Sequence, residues 1–405
     1  MNTKRLDKVI IKVETIYLIL ITLYLIVLYA FFDYRLVITL LFVPILTYYF
    51  ISRRKKLTIF LLWNSMFILL SGLSFFWSSY PEQTLIDTRI MFEIAVISNL
   101  LIAFIDKENK LESTYKIFVI AGFALIIRLI YEVPIVNWFD GRLRTEDLNS
   151  NEIGLFTTIS AIFAFYFAAV KKKKFSYILL LIFSFVVFLT GSRKAFFMLI
   201  LGIALLYYFS QGRKISKKLS SIIIGIIIVF LGYFTVMNIP YFYQIIGIRI
   251  ESLLSLVSDN VIDVDNSVTT RRNMIEVGLH LFKYKPILGY GLGSYSVISG
   301  FDTYSHNNYI ELLVGLGVIG TTIYYSMIFY ILFKLYKKRD LHICNPLLVL
   351  LILFIFNDLA LVSYKGFVYQ YLIAIGFVAT RIVGKINENN KRKYFIYGGK
   401  YKNAS

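Results

Sequence analysis

The residues in this chain best suited to chemistry stand at the ends of its apolar runs. His306-Asn307-Asn308 opens a long apolar stretch that continues through Val314-Gly-Leu-Gly-Val-Ile-Gly320, and the chain has only three histidines. Imidazole is the side chain whose ordinary titration lies nearest neutrality. Arg193 sits in Thr190-Gly-Ser-Arg-Lys-Ala-Phe-Phe197, and Arg271 and Arg272 follow Thr269-Thr270. Arg89 with Glu93 and Arg128 with Glu132 are i,i+4 pairs able to neutralise one another. Asp358 lies near the end of a further apolar run. Charges inside such runs are costly and mark candidate sites, and guanidinium forks bind anionic oxygens bidentately. Together they point to a site for a lipid-borne polar substrate, if the chain brings them to one side of a membrane.

The composition supplies the membrane. Of 405 residues 58% are hydrophobic and 17% charged, against about a quarter charged in soluble domains. We expect one all-α, polytopic integral membrane domain over 1–405 with about twelve transmembrane helices. The spans read at 10–31, 36–51, 57–76, 89–105, 115–133, 152–170, 175–190, 195–210, 220–238, 307–333, 345–363 and 367–383. The net charge of +19 comes largely in clusters between spans, at 52–56, 171–174, 212–218 and 334–340. Clusters of that kind set orientation rather than bind nucleic acid. Both termini are therefore expected in the cytoplasm of a cell (plasma or inner) membrane protein. No cleavable leader is expected, since the first apolar run is too long for one. One cysteine, Cys344, excludes an internal disulfide and a cysteine metal cluster.

This orientation leaves a smaller loop, 134–151, and a long loop, 239–305, outside. Connections of the latter length are usually functional. Within it Thr269 or Thr270 is placed to cap a surface helix from about Arg271 to Lys283. Met274, Ile275, Leu279 and Phe282 form its apolar face. Arg271 and Arg272 then fall in its first turn, where an anion offsets their repulsion by the helix dipole. Asn308 and Glu311 have capping-box spacing, so the next helix is expected near Asn308 with His306 just above it. The run Gly289-Tyr-Gly-Leu-Gly293 has the wrong spacing for a nucleotide loop, and its glycines fit tight turns or close backbone approach. Asp263 and Asp265 form an acidic pair that reads as solvated loop. His280, His306 and His342 are too far apart in this layout for a metal site, and no metal or cofactor is expected.

Four stretches in order resemble the O-antigen polymerase and O-antigen ligase family. They are Gly141-Arg-Leu-Arg-Thr-Glu-Asp-Leu-Asn-Ser-Asn-Glu-Ile-Gly-Leu-Phe156, Gly191-Ser-Arg-Lys-Ala-Phe-Phe197, the segment Thr269–Tyr295, and His306–Gly320. Ser150 stands where the family commonly has proline, and the amino-terminal third is similar only in hydropathy. The resemblance implies a metal-independent membrane glycosyltransferase with a twelve-helix, GT-C-like core. Its donor would be a glycan on a polyprenyl diphosphate at the outer face, and its acceptor another glycan. It further implies that Arg193 and Arg271 or Arg272 hold the diphosphate and that His306 is the base. Asn307, Arg144, Arg128 and Asp358 join the candidate substrate-binding set. Membrane lipid, a flippase and a chain-length regulator are the partners such a system uses. The chemistry is consistent: guanidinium groups stabilise a departing diphosphate, and neutral imidazole accepts a hydroxyl proton near pH 7.

Polymerase and ligase share this donor and differ in acceptor. Polymerase is favoured, because the wealth of Ile, Lys and Asn fits an AT-rich genome and a host without a lipopolysaccharide core. A lipid-linked sugar flippase is the rival of another class. It accounts for many spans and embedded charge but not for a long exterior loop carrying a helix.

Overall fold

The computed structural model describes residues 3–52, 58–139, 141–211 and 266–398, with isolated positions between 212 and 265. Every regular element among the described residues is helical. We number the main helices α1 (Thr3–Ala30), α2 (Arg35–Ser52), α3 (Ile59–Leu73), α4 (Pro81–Ala103), α5 (Glu108–Glu132) and α6 (Ser150–Phe165). These are followed by α7 (Phe175–Leu189), α8 (Arg193–Ser210), α9 (Asn266–Tyr284), α10 (Asn308–Tyr336), α11 (Asn345–Asn357) and α12 (Phe367–Gly398). Among the described residues six helices are long and apolar enough to cross a membrane: α3 extended to Trp77, α5, α6 extended to Val170, α8, α10 and Phe367–Gly384 of α12. Shorter apolar helices occupy Thr15–Ala30, Phe175–Leu189 and His342–Asn357. Over its described residues the chain is thus an all-helical, polytopic membrane protein. The expected span 220–238 and the acidic pair Asp263/Asp265 lie largely or wholly outside the described residues.

The core is built around α6 and α12, the most enclosed of these helices. α6 packs on α5, α7 and α8, and α11 bridges α8 to α12. Small residues allow the closest approaches, as is usual between membrane helices. At Gly154 of α6 a Cβ would come within 2.7 Å of Ala195 Cβ and 2.9 Å of Thr190 Oγ1. That contact fixes the first turn of α8 beside the first turn of α6. The amino-terminal ends of α6, α8 and α10 gather at one end of the bundle. The basic clusters Lys171–Lys174 and Lys334–Arg339 follow the opposite ends of α6 and α10.

Several sequence expectations shift. The chain is already helical at Asn266, ahead of the expected start at Arg271, so Arg271 and Arg272 do not occupy the first turn of the loop helix. It also docks on the bundle: Met274 packs with Tyr295, Ile310 and Val314, while Leu279 stays exposed. α10 does begin at Asn308, but Asn307 is the cap, its side chain accepting from Tyr309 N at 3.0 Å and Ile310 N at 3.1 Å. The Glu311 carboxylate turns back to accept from Ser305 N at 2.8 Å. α11 ends at Asn357 instead of 363, because residues 358–366 form the turn that clasps the start of α10.

α10 is broken at Gly317, whose φ of 63° and ψ of −164° lie in a region reserved for glycine. An unbroken helix would pair Val318 N with Val314 O and Ile319 N with Gly315 O. Instead Val318 N donates to Pro286 O at 2.8 Å and Ile319 N to Ile287 O at 3.4 Å. The two released carbonyls accept from Tyr290 N at 2.8 Å and Gly291 N at 2.9 Å. The loop run Pro286–Gly291 thereby replaces the missing helical bonds, the condition for tolerating irregular backbone at membrane depth. Gly289, Gly291 and Gly293 all have positive φ, and a Cβ at Gly289 would meet Gly315 O at 2.5 Å.

Two outcomes test this architecture. Gly317→Ala, whose Cβ would fall 2.2 Å from Ile287 O, adds backbone strain of about 1–3 kcal/mol before the overlap is counted. The purified variant should melt at a clearly lower temperature in detergent, and an unchanged midpoint would refute the role given to the break. For orientation, impermeant maleimide on intact cells should label Val297→Cys and spare Lys337→Cys, native Cys344 being buried. The reverse pattern inverts the orientation expected from the basic clusters.

Candidate functional site

Where α6, α8 and α10 begin, they enclose a cavity of about 260 Å³ with the turn 361–369. Its polar wall comprises Asn149, Asn151, Glu152, Lys194, Arg271, Tyr304, His306 and Lys365. Phe32, Leu155, Phe156, Phe367 and Val368 line it elsewhere. It therefore joins an apolar surface to a cationic one.

Each polar side chain is held by a different device. Asn149 caps α6 in a reciprocal capping box with Glu152. Asn151 Oδ1 accepts from Ser192 Oγ at 2.9 Å and from Arg142 Nη2 at 3.1 Å, tying the 134–151 loop to the α7–α8 turn. Lys194 Nζ donates to Ala360 O at 2.7 Å. Lys365 Nζ pairs with the buried Asp87 carboxylate at 3.0 Å, and Tyr364 OH donates to the same carboxylate. His306 has φ of 54°, in the left-handed region that few non-glycine residues adopt. Its neighbours fix it there. Ser305 Oγ donates to Asn307 O at 2.8 Å, and Asn307 Nδ2 donates to Leu359 O at 3.2 Å. The Tyr304 and His306 ring centroids lie 4.3 Å apart. Burial pushes the His306 imidazole down to about 4, and the positive charges of Arg271 and Lys194 push the same way. At neutral pH the ring is uncharged and keeps a lone pair available to accept a proton.

The sequence-derived candidates are distributed unevenly. His306 and Arg271 line the cavity together. Arg272 is exposed and paired with Glu276 at 3.0 Å. Arg193 begins α8 half-buried, and its neighbour Lys194 is the one lining the cavity. Asn307 is buried as the cap of α10. Asp358 is also buried, accepting from Tyr325 OH at 2.7 Å and Asn308 Nδ2 at 3.3 Å. Asn308 Oδ1 in turn accepts from Ser363 N and Tyr364 N, so Asp358 braces the turn behind the cavity. Arg128 is buried, pairs with Glu132 at 2.6 Å and Asp147 at 2.5 Å, and reaches Ala30 O. Arg144 and Arg128 line a separate polar cleft that shares Asn149 with the cavity. Lys365 and Glu152 were not among the candidates. Lys365 lies in a short turn with no motif around it, whereas the Asn149/Glu152 capping spacing was readable.

The cavity is therefore cationic on one side, apolar on the other, and placed at one end of the helical bundle. Residues 178–325, from within α7 to within α10, match the family model described as O-antigen ligase. The match includes Lys194, Arg271, Tyr304 and His306, and makes this part of the chain similar to that family. A comparison with curated proteins gives no match.

The three histidines make the electrostatics of the site measurable. In protein labelled at histidine, the resonance removed by His306→Gln should titrate near pH 4. Lys194→Gln or Arg271→Gln should move it upward, since each removes a positive charge that disfavours imidazolium. Titration near the ordinary 6.5 in the wild type would contradict the enclosure described.

Proposed function

We propose that the protein transfers a glycan from a polyprenyl diphosphate to a hydroxyl of a lipid-linked repeat unit, as a polysaccharide polymerase at the outer face of the cell membrane. The observation that carries the proposal is the joint lining of one cavity by Arg271, Lys194, Lys365 and His306 with an apolar wall at Phe32, Phe156 and Phe367. A polyprenyl diphosphate has the same division into apolar chain and anionic head. The proposal includes the twelve-span topology with both termini in the cytoplasm.

In this reading the diphosphate lies against Arg271 and Lys194, with Arg193 adding positive potential from the first turn of α8. As the anomeric C–O bond breaks, the electron pair goes to the diphosphate oxygen and these cations stabilise it. The acceptor hydroxyl attacks the anomeric carbon and gives its proton to neutral His306. The imidazolium so formed is destabilised by its cationic neighbours and returns the proton readily. No step of this scheme calls for a metal. Asn307 and Asp358 act by holding the mouth of α10 in place. Ligase activity, with the same donor and a different lipid or protein acceptor, is the second reading. It is favoured by the description of the matching family.

Purified protein given only lipid-linked repeat units should build a ladder of products; a ligase would need a separate acceptor and make none. His306→Gln should lower transfer by about 10²–10⁴-fold, the usual contribution of a general base, while donor binding persists. Arg271→Lys should bind the donor poorly, because it loses the bidentate fork. Near-wild-type transfer by His306→Gln at equal protein would remove the histidine from the mechanism.

A further inference from the structure

The cleft lined by Arg128, Glu132, Val133, Arg144, Thr145, Glu146, Asp147 and Asn149 has a volume of about 780 Å³, within the range of small-molecule sites. It is distinct from the His306 cavity and touches it through Asn149, which lines both. Its chemistry is different. Three carboxylates face two guanidinium groups, and Val133 is its one aliphatic lining residue. Arg128 is already paired with Glu132 and Asp147, so the balance left is acidic. A diphosphate would be repelled, and a polyprenyl chain would find no apolar wall. Among the described residues no group of three or more His, Cys, Asp or Glu side chains is placed to hold a metal ion. A hydroxyl-rich molecule matches a lining of alternating donors and acceptors with so little apolar surface. Carboxylates accept from vicinal hydroxyls, Arg144 donates to ring and hydroxyl oxygens, and Asn149 does both.

The cleft is also built to keep its shape. Arg128 fastens α5 to the end of α1 at Ala30 O and to Asp147 of the loop. Thr145 N donates to Leu148 O at 3.1 Å, and Leu148 N donates to Thr145 Oγ1 at 3.0 Å. The tight turn so formed presents Glu146 and Asp147. Two further bonds, from Leu143 N to Leu189 O and from Arg142 Nε to Thr190 O, seat the same loop on the turn preceding α8. The loop is thus locked to the element that carries Lys194.

We infer that this cleft is the acceptor subsite: it holds the sugar rings of the incoming glycan so that one hydroxyl reaches past Asn149 to His306. The inference rests on the transfer reaction proposed above but is tested apart from it. The probe is the host's repeat-unit oligosaccharide, freed of its lipid phosphate by mild acid, titrated onto the purified protein in nanodiscs. Inorganic pyrophosphate serves as a second probe for the neighbouring cavity. Arg144→Ala and Glu146→Ala, both exposed positions, should each weaken oligosaccharide binding by roughly tenfold or more, the loss of a charge-assisted hydrogen bond. Pyrophosphate binding should stay unchanged in both, which also shows that the variants are folded. In transfer assays the acceptor KM should rise with kcat nearly constant. Failure of the oligosaccharide to bind the wild type, undiminished binding to either variant, or a parallel loss of pyrophosphate binding would overturn the subsite. Should oligosaccharide binding depend on Arg144 and Glu146 while no transfer occurs in any preparation, the subsite stands and the proposed reaction falls.

Discussion

The arrangement depends on an exchange of backbone hydrogen bonds between α10 and the run Pro286–Gly291. At Gly317, about nine residues or ~13 Å into its helix, two helical bonds are given up and four are made to the loop. An unsatisfied backbone group in hydrocarbon costs several kcal/mol, so neither partner is stable in this form without the other. The consequence reaches the cavity. With Pro286–Gly291 seated against α10, Gly278 can press on Ile310 and Tyr295 OH can donate to Met274 O at 2.7 Å. α9 is thereby docked, and Arg271 is carried to the same wall as His306.

A second layer of constraint comes from the turn 358–366. Asn308 N donates to Asp358 O at 2.7 Å, and the Asn308 side chain closes on Ser363 and Tyr364. Lys194 reaches Ala360 O from the other side. The turn is therefore held by two helices that contribute to the cavity, and Lys365 projects from it onto Asp87. Such a frame explains how His306 keeps a left-handed backbone: both flanking residues are anchored by side-chain hydrogen bonds, and the strain of that conformation is borne by the frame.

Much of this was legible in the residues. The apolar runs located the helices because hydropathy over a span is a summed property, tolerant of error at any one position. The start of α10 was legible for the same chemical reason that it exists, an asparagine carboxamide at a helix mouth, although the capping group is Asn307 and not Asn308. His306 and Arg271 were legible as candidates for one site, but the contacts that bring them together were not. They are joined by packing of α9 on α10, and α9 is already helical ahead of the threonines expected to cap it. Lys194 illustrates the remaining limit. Consecutive residues at the start of a helix point about 100° apart, so Arg193 and Lys194 look equivalent until the approach at Gly154 decides which of them enters the cavity. The glycine-rich run in the loop was read correctly as tight turns. That it mends a helix more than twenty residues away could not be read, because backbone hydrogen bonds leave no side-chain signature.

The exchange at Gly317 has an implication for how this protein can vary. Its four bonds are made by main-chain atoms, which every residue except proline possesses in full. What they demand of the sequence is only the glycines that permit the conformation and the separation between them. The exchange itself asks nothing of the side chains between the two segments, where Ser305 to Asn308 are held by bonds of their own, provided the Gly289–Gly293 run still finds its register on Gly315–Gly317. For anyone building chimaeras of such membrane proteins, the natural unit of exchange is the whole stretch from the loop helix through the break, since cutting between its halves would separate two complementary edges.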